Sequence, residues 1–342
     1  MASAEEVKRD ELAGFLKVLP PVEFSCVYGS TLHPNNRDKS SMVDYILGVS
    51  DPLQWHAEFS WHVLESQTES RSLCFLDGPC WWGKTDEIGV GVHFNPFVTW
   101  NDKMLKYGVV RMHDLVEDVL KWDRFYLSGR LQKPVHILLD NLDIENVNSS
   151  NLRAAVSAAL LLLPHEFSEE DLYAKICSLS YMGDLRMLFA EDRNKVKKIV
   201  QGQFSLFQSM YKPFLEEYET KNMISFSSCG GHKANICQNS SFDQDIDLYT
   251  TCSLVSLLPQ AMRNRMGMKL GEQKRIAESG RVVRDVKISS REEAAKCMQK
   301  VLRRTVMMSS ARQAVSGFLT TGGLNAVRYL GKKMAKAWKS RT

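Results

Sequence analysis

The chain has 342 residues, 44% hydrophobic and 25% charged, the balance of a soluble globular protein with room for two domains and extensions. Its longest apolar run, 154–163, is too short to span a bilayer, which excludes a membrane-crossing helix. The net charge of +4 hides a separation: from Ala261 onward there are 20 Lys and Arg against 5 Asp and Glu, and before it 24 against 35. Such a basic tail calls for an anionic partner: nucleic acid, acidic lipid or an acidic surface.

Near the start, Glu5, Glu6, Asp10 and Glu11 are unlike a secretory signal or a mitochondrial presequence, so no cleaved segment is expected. Leu12, Phe15, Leu16 and Leu19 form the apolar stripe of an amphipathic helix. The eight cysteines show no CxxC pair and no zinc spacing, and read as reduced thiols in a reducing compartment.

Residues 24–28 form a predicted strand running into Gly29-Ser30, and 42–49 form a second one carrying Asp44. A Gly-Ser turn lets backbone approach a triphosphate, and Ser30 with nearby amides can bond phosphate oxygens. Asp44, beside the turn, can hold Mg²⁺ against those oxygens. This is how active sites of the polymerase-β nucleotidyltransferase type begin. Ile46 stands where that pattern has a second acid, so another carboxylate is needed from elsewhere. Asp140 and Asp143, after the apolar run 134–139, are the candidates; the alternative is an Asp-rich turn closing a strand.

Downstream, 54–65 reads as a helix, 88–94 and 106–110 as strands, 113–126 as a helix and 134–139 as a strand. The first unit, 1–145, is therefore an α/β domain with a mixed sheet. The second, 146–260, is α-rich. It has a helix over 151–163 stopped by Pro164, a capping box at Ser168-Glu169-Glu170-Asp171, and charged helix over 190–218 broken at Pro213. Residues 221–245 read as a Ser- and Cys-rich loop. The third unit, 261–342, is basic, with 263–290 partly irregular. It holds an amphipathic helix at 324–340, with Leu324, Val327, Leu330, Met334 and Trp338 on one stripe. Arg328, Lys332, Lys336 and Lys339 line the other. This pattern suits an anionic membrane interface; the alternative is a basic helix packed on the body.

Several strings carry a resemblance: Tyr28-Gly29-Ser30, Asp44, Asp51-Pro52 with Trp55-His56, Lys106-Tyr107-Gly108-Val109, and the run Tyr126 to Val135 containing GRLQKPV. Asn151-Leu152, Leu163-Pro164, the Leu179 to Arg186 run LSYMGDLR, Glu191-Asp192, Ser309-Ser310-Ala311-Arg312-Gln313 and Gly317 add to it. Together they resemble the mitochondrial phosphatidate cytidylyltransferases, also called translocator assembly and maintenance proteins. The resemblance runs from about residue 24 to the last; 221–245 is the part without a match.

It implies a nucleotidyltransferase domain, a winged-helix-like domain and a membrane-associating C-terminal segment. It implies transfer of CMP from CTP to phosphatidic acid, with Mg²⁺, on the matrix face of the mitochondrial inner membrane, upstream of cardiolipin. Tyr28, Gly29 and Ser30 are then expected to cradle the triphosphate, and Asp44 to hold the metal with Asp140. Lys106 and Lys133 are expected as catalytic cations, each with a structural alternative. Arg130, Asn151, Ser180, Tyr181 and Arg186 are candidates for nucleotide binding. Asn151 can instead cap its helix, and an Asp184–Arg186 brace is the plainer reading of that loop. No nucleic-acid partner is expected, because the tail's apolar stripe is of no use to one. The competing readings are a non-catalytic membrane-associated factor for mitochondrial import and an RNA-directed nucleotidyltransferase.

Overall fold

The structure, a computed structural model, describes residues 4–29, 42–65, 89–101, 103–185, 187, 194–227, 241–276 and 282–321. Ser30, Arg186 and the predicted tail helix at 324–340 lie outside them.

Five consecutive buried residues make β1 (Phe24–Tyr28) an interior strand. It belongs to a five-stranded mixed sheet of order β3-β4-β2-β1-β5. The other strands are β2 (Val43–Val49), β3 (Val92–Trp100), β4 (Lys103–Arg111) and β5 (His136–Asp140). β2 pairs antiparallel with β1 and parallel with β4, and the two edge strands are antiparallel to their neighbours.

Alternation along the strands gives the sheet two faces. Val27, Tyr45, Leu47, Tyr107 and Val109 lie on one, beneath Phe15 and beneath Trp55 and Phe59 of α2 (Pro52–Glu65). Phe15 follows α1 (Ala4–Ala13) in a 3-10 turn and is fully buried against the rings of Tyr45 and Trp100. Burial of such a ring stabilises by about 2–3 kcal/mol. The expected stripe of Leu12, Leu16 and Leu19 packs on the same cluster. The other face, with Phe24, Cys26, Tyr28, Ile46 and Val110, lies under α3 (Met112–Lys121), the short α4 (Ser128–Leu131) and the start of α5 (Ile144–Leu162).

The rest of the described chain is mostly helical: α6 (Glu169–Leu179), α7 (Lys195–Gly202), α8 (Phe204–Thr220), α9 (Leu248–Ser256), α10 (Gln260–Leu270) and α11 (Arg291–Thr321). The short strands β6 (Glu166–Ser168), β7 (Ile224–Ser227) and β8 (Ser241–Gln244) form a sheet of order β6-β8-β7, and β9 (Glu272–Ile276) pairs with β10 (Val282–Val286). One core joins these elements and takes in Trp122 and Phe125 from the first unit. α5 crosses the expected boundary at 145/146: Ile144 sits in the sheet core, and Leu152 onward in the helical one. The Ser168 capping box is present, with Ser168 and Asp171 exchanging backbone-to-side-chain bonds of 3.1 Å each.

Three expectations are corrected and one is sharpened. The helical break falls at Gln203, just after Gly202, while Pro213 is held inside α8. Residues 263–290, expected to be partly irregular, hold most of α10 and the paired strands β9 and β10, with 287–290 outside any element. The segment 221–245 contains two paired strands, β7 and β8. The helix expected over 113–126 stops at Lys121, where Trp122 turns to φ +58°.

The last correction has a clear cause. Asp118, buried in α3, draws the following loop back over the helix end. One of its oxygens accepts the N–H groups of Arg124 (3.1 Å) and Phe125 (2.7 Å). The other accepts those of Tyr126 (2.9 Å), Leu127 (2.7 Å) and Ser128 (3.2 Å). Burial pushes this carboxyl above its ordinary range, and the N–H groups pull it back. The loop delivered this way begins α4. It is braced from outside: Ser309 of α11 donates to the Arg124 carbonyl, and Arg265 of α10 pairs with Asp123 at 3.1 Å.

Two outcomes follow from these buried groups. Asp118→Asn turns an acceptor into a donor against converging N–H groups, and should lower the unfolding free energy by about 3 kcal/mol, read by denaturant melts. His56 of α2 lies on the sheet face away from Asp44; burial, with a smaller push from His93, lowers it from 6.5 to about 3. The folded protein therefore keeps His56 neutral while the unfolded chain takes up a proton below about pH 6.5. Its contribution to stability is lost as pH falls through that window, by up to about 1.4 kcal/mol per pH unit. Urea midpoints from acid to neutral pH should slope less in His56→Gln; equal slopes would refute this.

Candidate active site

Because β2 lies between β1 and β4, Asp44 is flanked in register by Tyr28 and Lys106. The three residues share one face of the sheet. Gly29 ends β1 at φ +103°, and a Cβ built there would stand 3.0 Å from Asp44 Oδ2. A glycine is what allows the chain to turn beside the carboxylate. The strand pairing and the turn thus bring together Tyr28, Gly29, Asp44 and Lys106. Ser30, next in the chain, lies outside the described residues. Ile46 is buried in the core, so the strand supplies no second acid.

Arg130 reaches this group from α4. Its guanidinium lies 3.8 Å from the centre of the Tyr28 ring and 5.9 Å from that of Tyr126. Burial pushes the Tyr28 hydroxyl well above its ordinary value, Arg130 pulls it down, and Asp44 pushes it up. Tyr28 is therefore a neutral platform beneath a cation. Burial likewise pushes the neighbouring Cys26 thiol up to about 12, which makes it inert as a nucleophile. Lys106 carries its ammonium 4.2 Å from the centre of the Phe94 ring.

A second cationic group begins one turn beyond Arg130. Lys133 donates to the Gly129 carbonyl and to Ser180 Oγ, the latter at 2.7 Å. Its ammonium lies 5.0 Å from the centre of the Tyr181 ring, and that of Lys195, on α7, 5.3 Å from the same ring. The GRLQK and SYMGD strings, far apart in the chain, therefore meet. Asp184 is buried in the same loop, and Arg186 lies outside the described residues.

Two expected residues belong elsewhere. Asp140 pairs with Phe24 at one end of β1, whereas Asp44 pairs with Tyr28 at the other. Four residues of strand, about 13 Å, separate those rungs, so one ion cannot bridge the two carboxylates. Asp140 instead accepts the N–H groups of Ile144 (2.8 Å) and Glu145 (2.9 Å) at the start of α5. Asn151 is neither a helix cap nor open to a nucleotide. It is buried within α5, where Oδ1 accepts from Trp122 Nε1 and Gln132 Nε2, both at 2.8 Å. Its Nδ2 donates to the Ser128 carbonyl (3.0 Å) and Asn148 Oδ1 (2.7 Å). Every polar position of that side chain is used in joining α3, α4 and α5.

Sequence reasoning missed Asp118 and Lys195. Asp118 had a signal, as an acid on the apolar stripe of Leu115, Val119 and Trp122. Lys195 had none, since its place depends on how α7 packs.

The donors at Asp44 suit a hard cation that takes one carboxylate and fills its remaining positions with phosphate oxygens and water, as Mg²⁺ does. Among the described residues, the cluster of three side chains close enough to share an ion is elsewhere: His165, Glu166 and Asp243, at the small β6-β8-β7 sheet. Also among the described residues, no helix is long and apolar enough to cross a membrane.

A family model described as phosphatidate cytidylyltransferase, mitochondrial, matches residues 12–336. Curated relatives carry the same name. That of Bos taurus is 31% identical, over 95% of this chain and 94% of its own. That of Danio rerio is 30% identical, over 92% and 89%. That of Caenorhabditis elegans is 29% identical, over 97% and 100%. The similarity thus covers both the sheet that carries Asp44 and the helices that carry Ser180 and Lys195, and the chain belongs to the mitochondrial phosphatidate cytidylyltransferase family.

Proposed function

We propose that this chain transfers CMP from CTP to phosphatidic acid, giving CDP-diacylglycerol and pyrophosphate, with Asp44 holding Mg²⁺ at the triphosphate. Family membership supports the reaction. The observation that carries the site is the Gly29 turn closing on Asp44, next to the Tyr28 ring on which Arg130 is seated. We read the five-stranded unit as a nucleotidyltransferase domain of the polymerase-β type and the helical unit as winged-helix-like. The relatives are named as mitochondrial, and the matrix face of the inner membrane, upstream of cardiolipin, is the setting we infer for this chain. The tail residues Leu324, Val327, Arg328, Leu330, Lys332, Met334, Lys336 and Trp338 are its proposed contact with an anionic membrane.

The chemistry asks little of a general base. A phosphate oxygen of phosphatidic acid, already anionic, bonds to the α-phosphorus of CTP. The bond from that phosphorus to the bridging oxygen breaks, and pyrophosphate leaves. The obstacle is repulsion between two anions, so positioning and charge neutralisation dominate. Gly29, turning at positive φ beside Asp44, leaves room for the triphosphate. Arg130, seated on Tyr28, and Lys106 neutralise it. Lys133, oriented by Ser180, stands with Lys195 as a second positive group for the second anion. Asp44 would hold Mg²⁺, which would supply further positive charge to the triphosphate.

Pyrophosphate release from CTP on phosphatidic acid vesicles with Mg²⁺ tests this reading. Release should require both substrates, and Asp44→Asn should lower kcat at least about 100-fold with folding intact. An active Asp44→Asn enzyme would sink the catalytic assignment and favour a membrane-associated assembly factor. Gly29→Ala forces a side chain into a positive φ beside the carboxylate, at a cost of about 1–3 kcal/mol. It should lower kcat/KM by at least about tenfold, and unchanged kinetics would remove the turn from the site.

A further inference from the structure

The buried face of α11 is accounted for by the helical core, where Met298, Val301, Leu302 and Val306 pack. Its outer face is not. Lys300, Arg304, Met307, Met308, Arg312 and Val315 recur along one exposed side of the helix. Met307 is 40% exposed, Met308 48% and Val315 50%, so three large apolar side chains face outward on the same side of one helix. Among the described residues, none of Lys300, Arg304 and Arg312 has an ion pair. The sequence contains no Asp or Glu from Ala294 through Thr342. Charge of one sign, interleaved with flexible methionines, is the composition of a surface that meets an anionic interface.

This face borders the site. Arg303 stands at its edge, and a Cβ built on Gly183 would lie 2.7 Å from the Arg303 carbonyl oxygen. The Leu185 N–H donates to Ser310 Oγ at 3.3 Å. The loop that supplies Ser180 and Tyr181 to Lys133 thus rests directly on α11.

We infer that the exposed face of α11 is a docking surface for an anionic lipid bilayer, lying beside the 180–185 loop so that a phosphatidate headgroup is presented next to Lys133. The inference rests on the cytidylyltransferase reading for what the surface is used for, but not for whether it binds. It is separate from the tail at 324–340. A nucleic acid is the poorer occupant, because Met307, Met308 and Val315 offer it nothing.

The test uses the full chain with phosphatidylcholine vesicles containing phosphatidic acid. Flotation and turnover are compared for wild type, Arg304→Gln/Arg312→Gln and Met308→Ser. Each basic side chain near such a surface is worth about fivefold in partitioning, so the double variant should bind about 25-fold more weakly. Met308→Ser should weaken binding several-fold, with less dependence on salt. KM for vesicle-borne phosphatidic acid should rise in both, while turnover of a water-soluble, short-chain phosphatidic acid stays at the wild-type rate. Wild-type flotation in both variants would overturn the proposal and leave the tail as the membrane contact. Equal loss on the soluble substrate would also overturn it, since the residues would then act through the fold. A wild-type chain that floats but turns over neither lipid would count against the cytidylyltransferase reading, and the flotation series would still decide on the surface.

Discussion

One buried carboxylate sets the geometry on which the site depends. Asp118 accepts five successive backbone N–H groups and so bends the chain after α3 into the loop that begins α4. Without that bend a helix of high apolar period would run on, and Arg130 would not stand over Tyr28. The arrangement is costly to desolvate and is stable only because each oxygen is fully used. Asn151 extends the same logic, tying the end of α3, the end of α4 and the middle of α5 through four hydrogen bonds. Polar groups at the junction of the two cores thereby fix angles that apolar packing alone would leave loose.

The sheet supplies the other half of the site. Its mixed topology puts a parallel strand on one side of Asp44 and an antiparallel strand on the other, so Lys106 and Tyr28 become its lateral neighbours. A single carboxylate with several surrounding cations fits a reaction between two anions better than one that needs a strong base. The cations are held by different means. Arg130 rests on an aromatic face, while Lys133 is held by hydrogen bonds to Gly129 and Ser180. That difference suits two roles, one beside the sheet and one between the sheet and the helices.

The helical unit is more than an appendage. Ser180, Tyr181 and Lys195 come from it, and α10 and α11 brace the loop at Asp123 and Arg124 from outside. α11 packs the helical core on one side, and its other side carries Lys300, Arg304 and Arg312, which have no ion pair among the described residues; that is the side proposed to meet the lipid.

Local signals carried the sequence reading furthest. Short apolar runs located β1 and β2, the Ser168 capping box marked the start of α6, and the Gly29 turn with Asp44 stood out because glycine and acid lie in consecutive elements. Each of these depends on interactions spanning a few residues, which sequence order preserves. Nearness in space is a different matter. Asp140 looked like a partner for Asp44 because both end or begin apolar runs, and only the register of β1 shows them at opposite ends of the sheet. Asn151 resembled a polar ligand until its four partners, drawn from three helices, accounted for it. The meeting of Lys133 with Ser180, and of Lys195 with Tyr181, depends on how α6 and α7 pack against α4. The sequence by itself determined the strands that carry the Gly29 turn and Asp44, the capped start of α6 and the family; the tertiary structure alone decided where several elements end and which charges meet, because long-range packing sets those distances and no local period encodes it.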